Sequence, residues 1–195
     1  MDTFFSRCKH FFRHTLAIIG GLAVVGVLTA LVVIYSGAFN VAATVSDSAP
    51  LRWLFVTVRE VSISSRTKTI QVPALAGADQ LDRGFRFYRA ECAMCHTAPG
   101  RTPTPMAVGF NPQAPGFGDA ADVMSPAEVF WATKNGIKFT AMPGWGPSKS
   151  DAEIWDVVAF VQSLPKTTAA DYDALDRRLP PVRATCEEII GQSSS

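Results

Sequence analysis

Cys92-Ala93-Met94-Cys95-His96 places two thiols and an imidazole within five consecutive residues. A C-x-x-C-H run of this kind suits the covalent capture of a haem. The two thiols add to the haem vinyl groups as thioethers, and the histidine that follows reaches the iron as the proximal axial ligand. A dithiol redox motif of the thioredoxin type needs a neighbouring βαβ pattern, and none is visible. A structural zinc site needs a second ligand pair. The only other cysteines, Cys8 and Cys186, lie far apart near the two ends of the chain. The run occurs once, so one covalent haem is expected, held by Cys92, Cys95 and His96.

The second axial position needs a ligand from elsewhere. Of the three histidines, His10 and His14 precede a long apolar segment that separates them from His96. Bis-histidine ligation within one chain is thereby excluded. Met142 is the expected distal ligand, because a thioether commonly partners histidine on such iron. It sits in Thr140-Ala141-Met142-Pro143-Gly144-Trp145-Gly146. Pro143 pushes the residue before it away from helix, so Met142 should ride on an extended loop. Met106 and Met124 are rivals for the role, and core filling is the ordinary use of any methionine. Met94 lies inside the attachment run and cannot reach the opposite face.

Helices must position these groups. Asp79 can cap a first helix whose apolar face carries Leu81, Phe85, Tyr88 and then Cys92. Ser125-Pro126-Ala127-Glu128 reads as a capping box with proline at the first helical position. That helix should run through Phe130 and Trp131 and stop at Gly136. Ser150-Asp151-Ala152-Glu153 is a second box, opening a helix with Ile154, Trp155, Val158, Phe160, Val161 and Leu164, closed by Pro165. A proline- and glycine-rich loop from Pro99 to Gly118 separates the first helix from the second. No alternating strand pattern stands out, so the fold class is all-α with long loops.

The rest of the chain sets topology. Leu16 to Phe39 contains no charged residue. As a helix that stretch spans roughly 36 Å, enough for a hydrocarbon core of ~30 Å, and longer than a secretory h-region. Arg7, Lys9 and Arg13 precede it, so the arm stays in the cytoplasm and everything after Phe39 is exported. The expected organisation is a cytoplasmic arm (1–15), a transmembrane signal-anchor (16–39), a juxtamembrane connector (40–78), the haem domain (79–165) and a polar tail (166–195). Within the connector, Leu51, Leu54, Phe55, Val58 and Val61 recur at helical spacing. They suit a helix lying on the membrane or one packed on the haem domain. A net charge of +1 offers nothing to nucleic acid. Cys186 remains as an exported thiol, open to linkage with a partner or inert.

The attachment run, Met142-Pro143 and the flanking helices together resemble a class I type, single-haem cytochrome c domain over residues 79–165. The span, the Ser36–Ala43 stretch after it, and Asn135-Gly136-Ile137-Lys138-Phe139-Thr140 are similar to small membrane-anchored bacterial cytochromes. The resemblance implies haem attachment in the periplasm, beyond the bacterial inner membrane. It also implies a crossing of the first and last helices, with Gly84 and Tyr88 facing Trp155. The implied function is electron transport between a redox donor and acceptor, with both axial positions filled and no catalysis at the iron. Subunit status in a membrane or periplasmic oxidoreductase is the alternative, and a haem peroxidase-type enzyme a third. Oligomeric state is left open. In such a domain the ligand loop borders the haem edge. Lys134, Lys138 and Lys149, with no acidic residue between Val129 and Ser150, would then make a mildly basic docking face.

Overall fold

The computed structural model describes residues 2–75, 77–117 and 124–179, with backbone alone for 2–9. Cys186, most of the 166–195 segment and Gly118 lie outside these residues, as does the side chain of Cys8. The chain divides into two units, Met1–Val45 and Ser46–Ser195.

The first unit contains one helix, α1 (Asp2–Ser36), followed by a short irregular stretch to Val45. Its stretch His10–Ser36 is long and apolar enough to cross a membrane. Apolar side chains from Phe11 to Tyr35 are exposed along it, an arrangement that water disfavours and hydrocarbon does not. Its threonines hide their polarity locally. The Thr15 hydroxyl donates to Phe11 O and the Thr29 hydroxyl to Val25 O, each at 2.9 Å, as a lipid-facing helix requires.

The second unit contains α2 (Ala49–Thr67), α3 (Ala78–Phe87), α4 (Ala93–His96), α5 (Pro105–Val108), α6 (Pro126–Asn135), α7 (Asp151–Ser163) and α8 (Ala169–Arg178). No strand occurs among the described residues. Both capping boxes form. Ser125 and Glu128 exchange side-chain and backbone hydrogen bonds at the start of α6, and Ser150 and Glu153 do the same at α7. Glu153 is held below its usual carboxylate range, first by the backbone hydrogen bond from Ser150. Gly136 ends α6 with φ +69°, the left-handed region that glycine enters freely.

Asp79 departs from expectation. The helix begins at Ala78, two residues early, so its N-cap is Gly77, which has no side chain to cap with. Asp79 instead lies in the first turn, where its charge complements the helix dipole.

The core sits where α3 crosses α7. Phe85, Tyr88, Ile154, Val157, Val158 and Phe160 are fully buried there. Phe85 and Phe160 meet edge to face at 5.5 Å, and Tyr88 lies 5.3 Å from Phe160. Gly84 makes the crossing possible. A Cβ on it would lie 2.1 Å from Asp156 O and 2.9 Å from Phe160 Cβ. The aromatic facing Gly84 and Tyr88 is therefore Phe160, not Trp155. Asp156 and Phe160 are four residues apart and share one helical face. Trp155 is turned away and stacks on Phe130 of α6 at 4.1 Å.

Gly84→Ala should be costly for this reason. Alanine gains about 1 kcal/mol of helix propensity, while overpacking against a backbone carbonyl costs about 3 kcal/mol. The net loss of about 2 kcal/mol should lower Tm by roughly 4–8 °C. Thermal melting of the full-length holoprotein in detergent checks this, and an unchanged Tm would show that the helices separate without penalty.

Two other elements extend the domain. α2 packs on α6, with Ile63 and Thr67 buried. The apolar face read from the sequence is not the one against α6: Leu54, Phe55, Val58 and Val61 remain exposed. The segment read as a polar tail contains α8, opened by a third capping box at Thr168 and Asp171. Tyr172 carries α8 into the core and meets Phe85 at 5.2 Å. Ion pairs tie its polar face down, with Arg178 on Asp82, Arg89 on Asp176 and Arg101 on Asp173. Such surface pairs stabilise little individually, so burial of Tyr172 is the stronger tie.

Candidate haem-attachment site

α3 does not stop before the attachment run. It widens into a π-helical turn over Tyr88–Cys92, in which Ala93 N–H donates to Tyr88 O, and then tightens into α4. Turns of this kind are rare and concentrate at functional sites. Cys92, Cys95 and His96 are thereby brought onto adjoining turns next to the core.

Tyr88 links core and site. Its ring is fully buried, and its hydroxyl donates to the backbone carbonyl of His96 at 3.1 Å. Burial raises the phenol's pKa, so it remains a donor. Directly after His96 the chain turns sharply, with Thr97 at φ +35°. The Thr104 hydroxyl donates to Met94 O at 2.7 Å, and accepts from Ala107 N at 3.1 Å. One side chain thus fastens the attachment turn to α5.

His96 is set up as a ligand. Its Nδ1 lies 2.9 Å from Pro115 O. A carbonyl only accepts, so Nδ1 carries the proton and Nε2 keeps its lone pair for a metal. The ring is stacked on Phe117 at 4.3 Å and 22°, which fixes its rotation. Burial lowers the imidazole pKa, opposed by the bond to Pro115, and the neutral ring is the form that ligates. Cys92 and Cys95 are both free thiols and partly buried. Burial pushes the Cys92 thiol up to about 12, so it stays protonated. Two addable thiols beside one oriented imidazole fit the donor set of a covalent haem.

Met142 belongs to a different loop, built onto the C-terminal end of α6. Ile137 N–H donates to Met142 O at 3.2 Å, and Met142 N–H donates to the Thr140 hydroxyl at 3.1 Å. Trp145 N–H reaches Thr133 O and Gly146 N–H reaches Lys134 O, which uses the free carbonyls of the helix end. A Cβ on Gly136 would lie 2.6 Å from Gly144 N, so the two strands of the loop touch. The Trp145 ring meets Phe87 edge to face at 5.8 Å, docking the loop on α3. Met142 itself is half-buried. Among its rivals, Met124 packs against the hydrophobic core, while Met106 is half-exposed on α5 beside the attachment turn.

The expected basic face shrinks. Lys134 Nζ lies 2.6 Å from Asp151 Oδ1 and Lys149 Nζ 3.9 Å from Glu153 Oε1. Each ammonium also covers an aromatic ring, Phe130 and Phe87 respectively. The acids that engage them begin at residue 151, just past the segment that looked free of acid. Lys138 stays exposed.

Pro115, Phe117, Thr104 and the Tyr88 hydroxyl escaped the sequence reading. The first three lie in the proline-rich loop, where no periodicity marks contacts. The Tyr88 ring was legible as core, but its hydroxyl's use was not.

Residues 79–161 match a family model described as Cytochrome C oxidase, cbb3-type, subunit III. No curated protein matches the chain. The matched segment runs from the start of α3 almost to the end of α7 and encloses the attachment turn, the Pro115–Phe117 support and the Met142 loop. An all-helical unit with this turn at its centre, and this match across it, is a cytochrome c domain serving haem-based electron transfer, carried behind an N-terminal helix fit to anchor it in a membrane.

Proposed function

We propose that the chain is a membrane-tethered electron carrier of the bacterial periplasm. It holds one haem covalently through Cys92 and Cys95, with His96 and Met142 as axial ligands. The observation that carries this reading is His96, buried, with Nδ1 engaged by Pro115 O and its ring braced on Phe117. That arrangement leaves Nε2 as the one free donor of a rigid imidazole. The haem supplies a one-electron iron couple when bound. The residues would do the rest: Cys92 at the end of the π-helical turn and Cys95 on α4 would hold the group, His96 would orient it, and the buried Phe85 and Tyr88 keep water out of the adjoining core. With Met142 on the second axial position, no site remains for a substrate, so the protein transfers electrons and is not itself an enzyme. The tether keeps the domain close to membrane-bound donors and acceptors.

A second reading is favoured by the family match, whose name belongs to a subunit of an oxidase. In it the same haem passes electrons within a stable complex. Mild-detergent purification separates the two: a carrier emerges alone, a subunit with its complex.

The test of the site is chemical. Haem should stay with the polypeptide when the denatured holoprotein is extracted with acidified solvent, and the ferric protein should show a methionine–iron band in the near infrared. Extractable haem would refute the thioether attachment, and an absent band the methionine.

A further inference from the structure

α2 has two apolar faces, and the fold covers only one. Ile63 and Thr67 are buried where the helix packs on α6. Leu54, Phe55, Val58 and Val61 lie on another face and are 47%, 46%, 56% and 62% exposed. The Phe55 ring meets Phe139 at 6.0 Å. Phe139 is 83% exposed and held at φ +61°, a conformation that bulky residues seldom adopt. The stripe thereby continues onto the loop that carries Met142.

Charge and tether length identify the occupant. Arg52, Arg59 and Arg66 recur every seven residues and so run along one edge of this apolar face. Glu60 is the only acid on α2. An apolar stripe edged by arginines suits a helix lying in a bilayer interface, with guanidinium groups among anionic headgroups and aliphatic stems along the apolar boundary. Only residues 37–48 separate the end of α1 from α2, and that chain extends to about 40 Å at most. A helix so tethered meets the membrane surface at high effective concentration. A mobile protein partner has no such advantage.

We infer that the Leu54–Val61 face of α2 is an interfacial membrane-binding site for anionic lipid, separate from the haem. It would seat the domain on the bilayer with the Met142 loop beside the contact.

Full-length holoprotein should be reconstituted in nanodiscs of phosphatidylcholine and phosphatidylglycerol carrying a photoreactive phospholipid. After irradiation and trypsin, lipid adducts should appear on the 53–59 peptide as well as on the α1 span. Val58→Asp with Val61→Asp alters two exposed positions and should leave the haem spectrum and melting temperature unchanged, while adducts on the 53–59 peptide fall several-fold. Omitting phosphatidylglycerol should also reduce them. Adducts confined to the α1 span would overturn the inference and leave the face to a protein partner. The readout does not depend on the identity of the axial ligands, so it fails independently of the proposed function.

Discussion

Cys92→Ala with Cys95→Ala should leave a polypeptide that loses all haem on denaturation, since no thioether can form. Each single variant should retain one thioether at best and accumulate far less holoprotein. His96→Ala should separate attachment from ligation. Both thiols remain, on the π-helical turn and α4, yet the one histidine that follows the apolar span is gone. The Tyr88 hydroxyl bonds the His96 backbone carbonyl rather than its ring, so the turn itself should survive the change. Any haem captured should therefore lack the proximal nitrogen and lose the low-spin spectrum of a six-coordinate site. Peptide mass mapping for haem adducts, with absorption spectra of the same samples, reads both effects. A normal low-spin spectrum in His96→Ala would place the proximal ligand elsewhere.

Met142→Ala should have the second largest effect. Exchanging a thioether for water or hydroxide should lower the reduction potential by roughly 0.1–0.3 V, within the wide range over which axial ligands act. The near-infrared band should vanish. Gly136→Ala should produce much of the same change without touching the sulfur. Its φ of +69° resists any side chain, and its Cβ would lie 2.6 Å from Gly144 N, so the loop must move. Met106→Ala should keep the band. Met124→Ala should keep it too while lowering stability, because that side chain packs on the core. Redox titration with near-infrared spectroscopy decides. A band lost in Met106→Ala and kept in Met142→Ala would reverse the assignment.

Much of this protein was readable along the chain because the interactions that specify it are short. The capping boxes at Ser125 and Ser150 join residues three apart, so they appear in the structure as they read in the sequence. The attachment run is likewise one local turn, and the span of α1 is a matter of uninterrupted apolar length. Other features depend on how helices rotate against one another. Whether Trp155 or Phe160 met Gly84 was a question of about 100° of rotation per residue, settled by the close approach of Gly84 to Asp156 O. The face of α2 that is covered, with Ile63 and Thr67 buried, followed from packing on α6 rather than from the apolar spacing of Leu54, Phe55, Val58 and Val61.

The haem's surroundings divide in the same way. Cys92, Cys95 and His96 announce their chemistry by type and spacing, with Met142 as the expected fourth. That Nδ1 rather than Nε2 of His96 is engaged depends on Pro115, nineteen residues away across a loop without periodicity. The partners of Lys134 and Lys149 were set by where α7 begins, and those of Asp82, Arg89 and Arg101 by α8, a helix hidden in polar sequence. Sequence by itself determined the elements and the reactive groups, since backbone hydrogen bonding, capping and hydropathy act within a few residues. Tertiary structure alone decided which faces meet and which ring nitrogen is left free, because those follow from packing between segments that sequence order does not bring together.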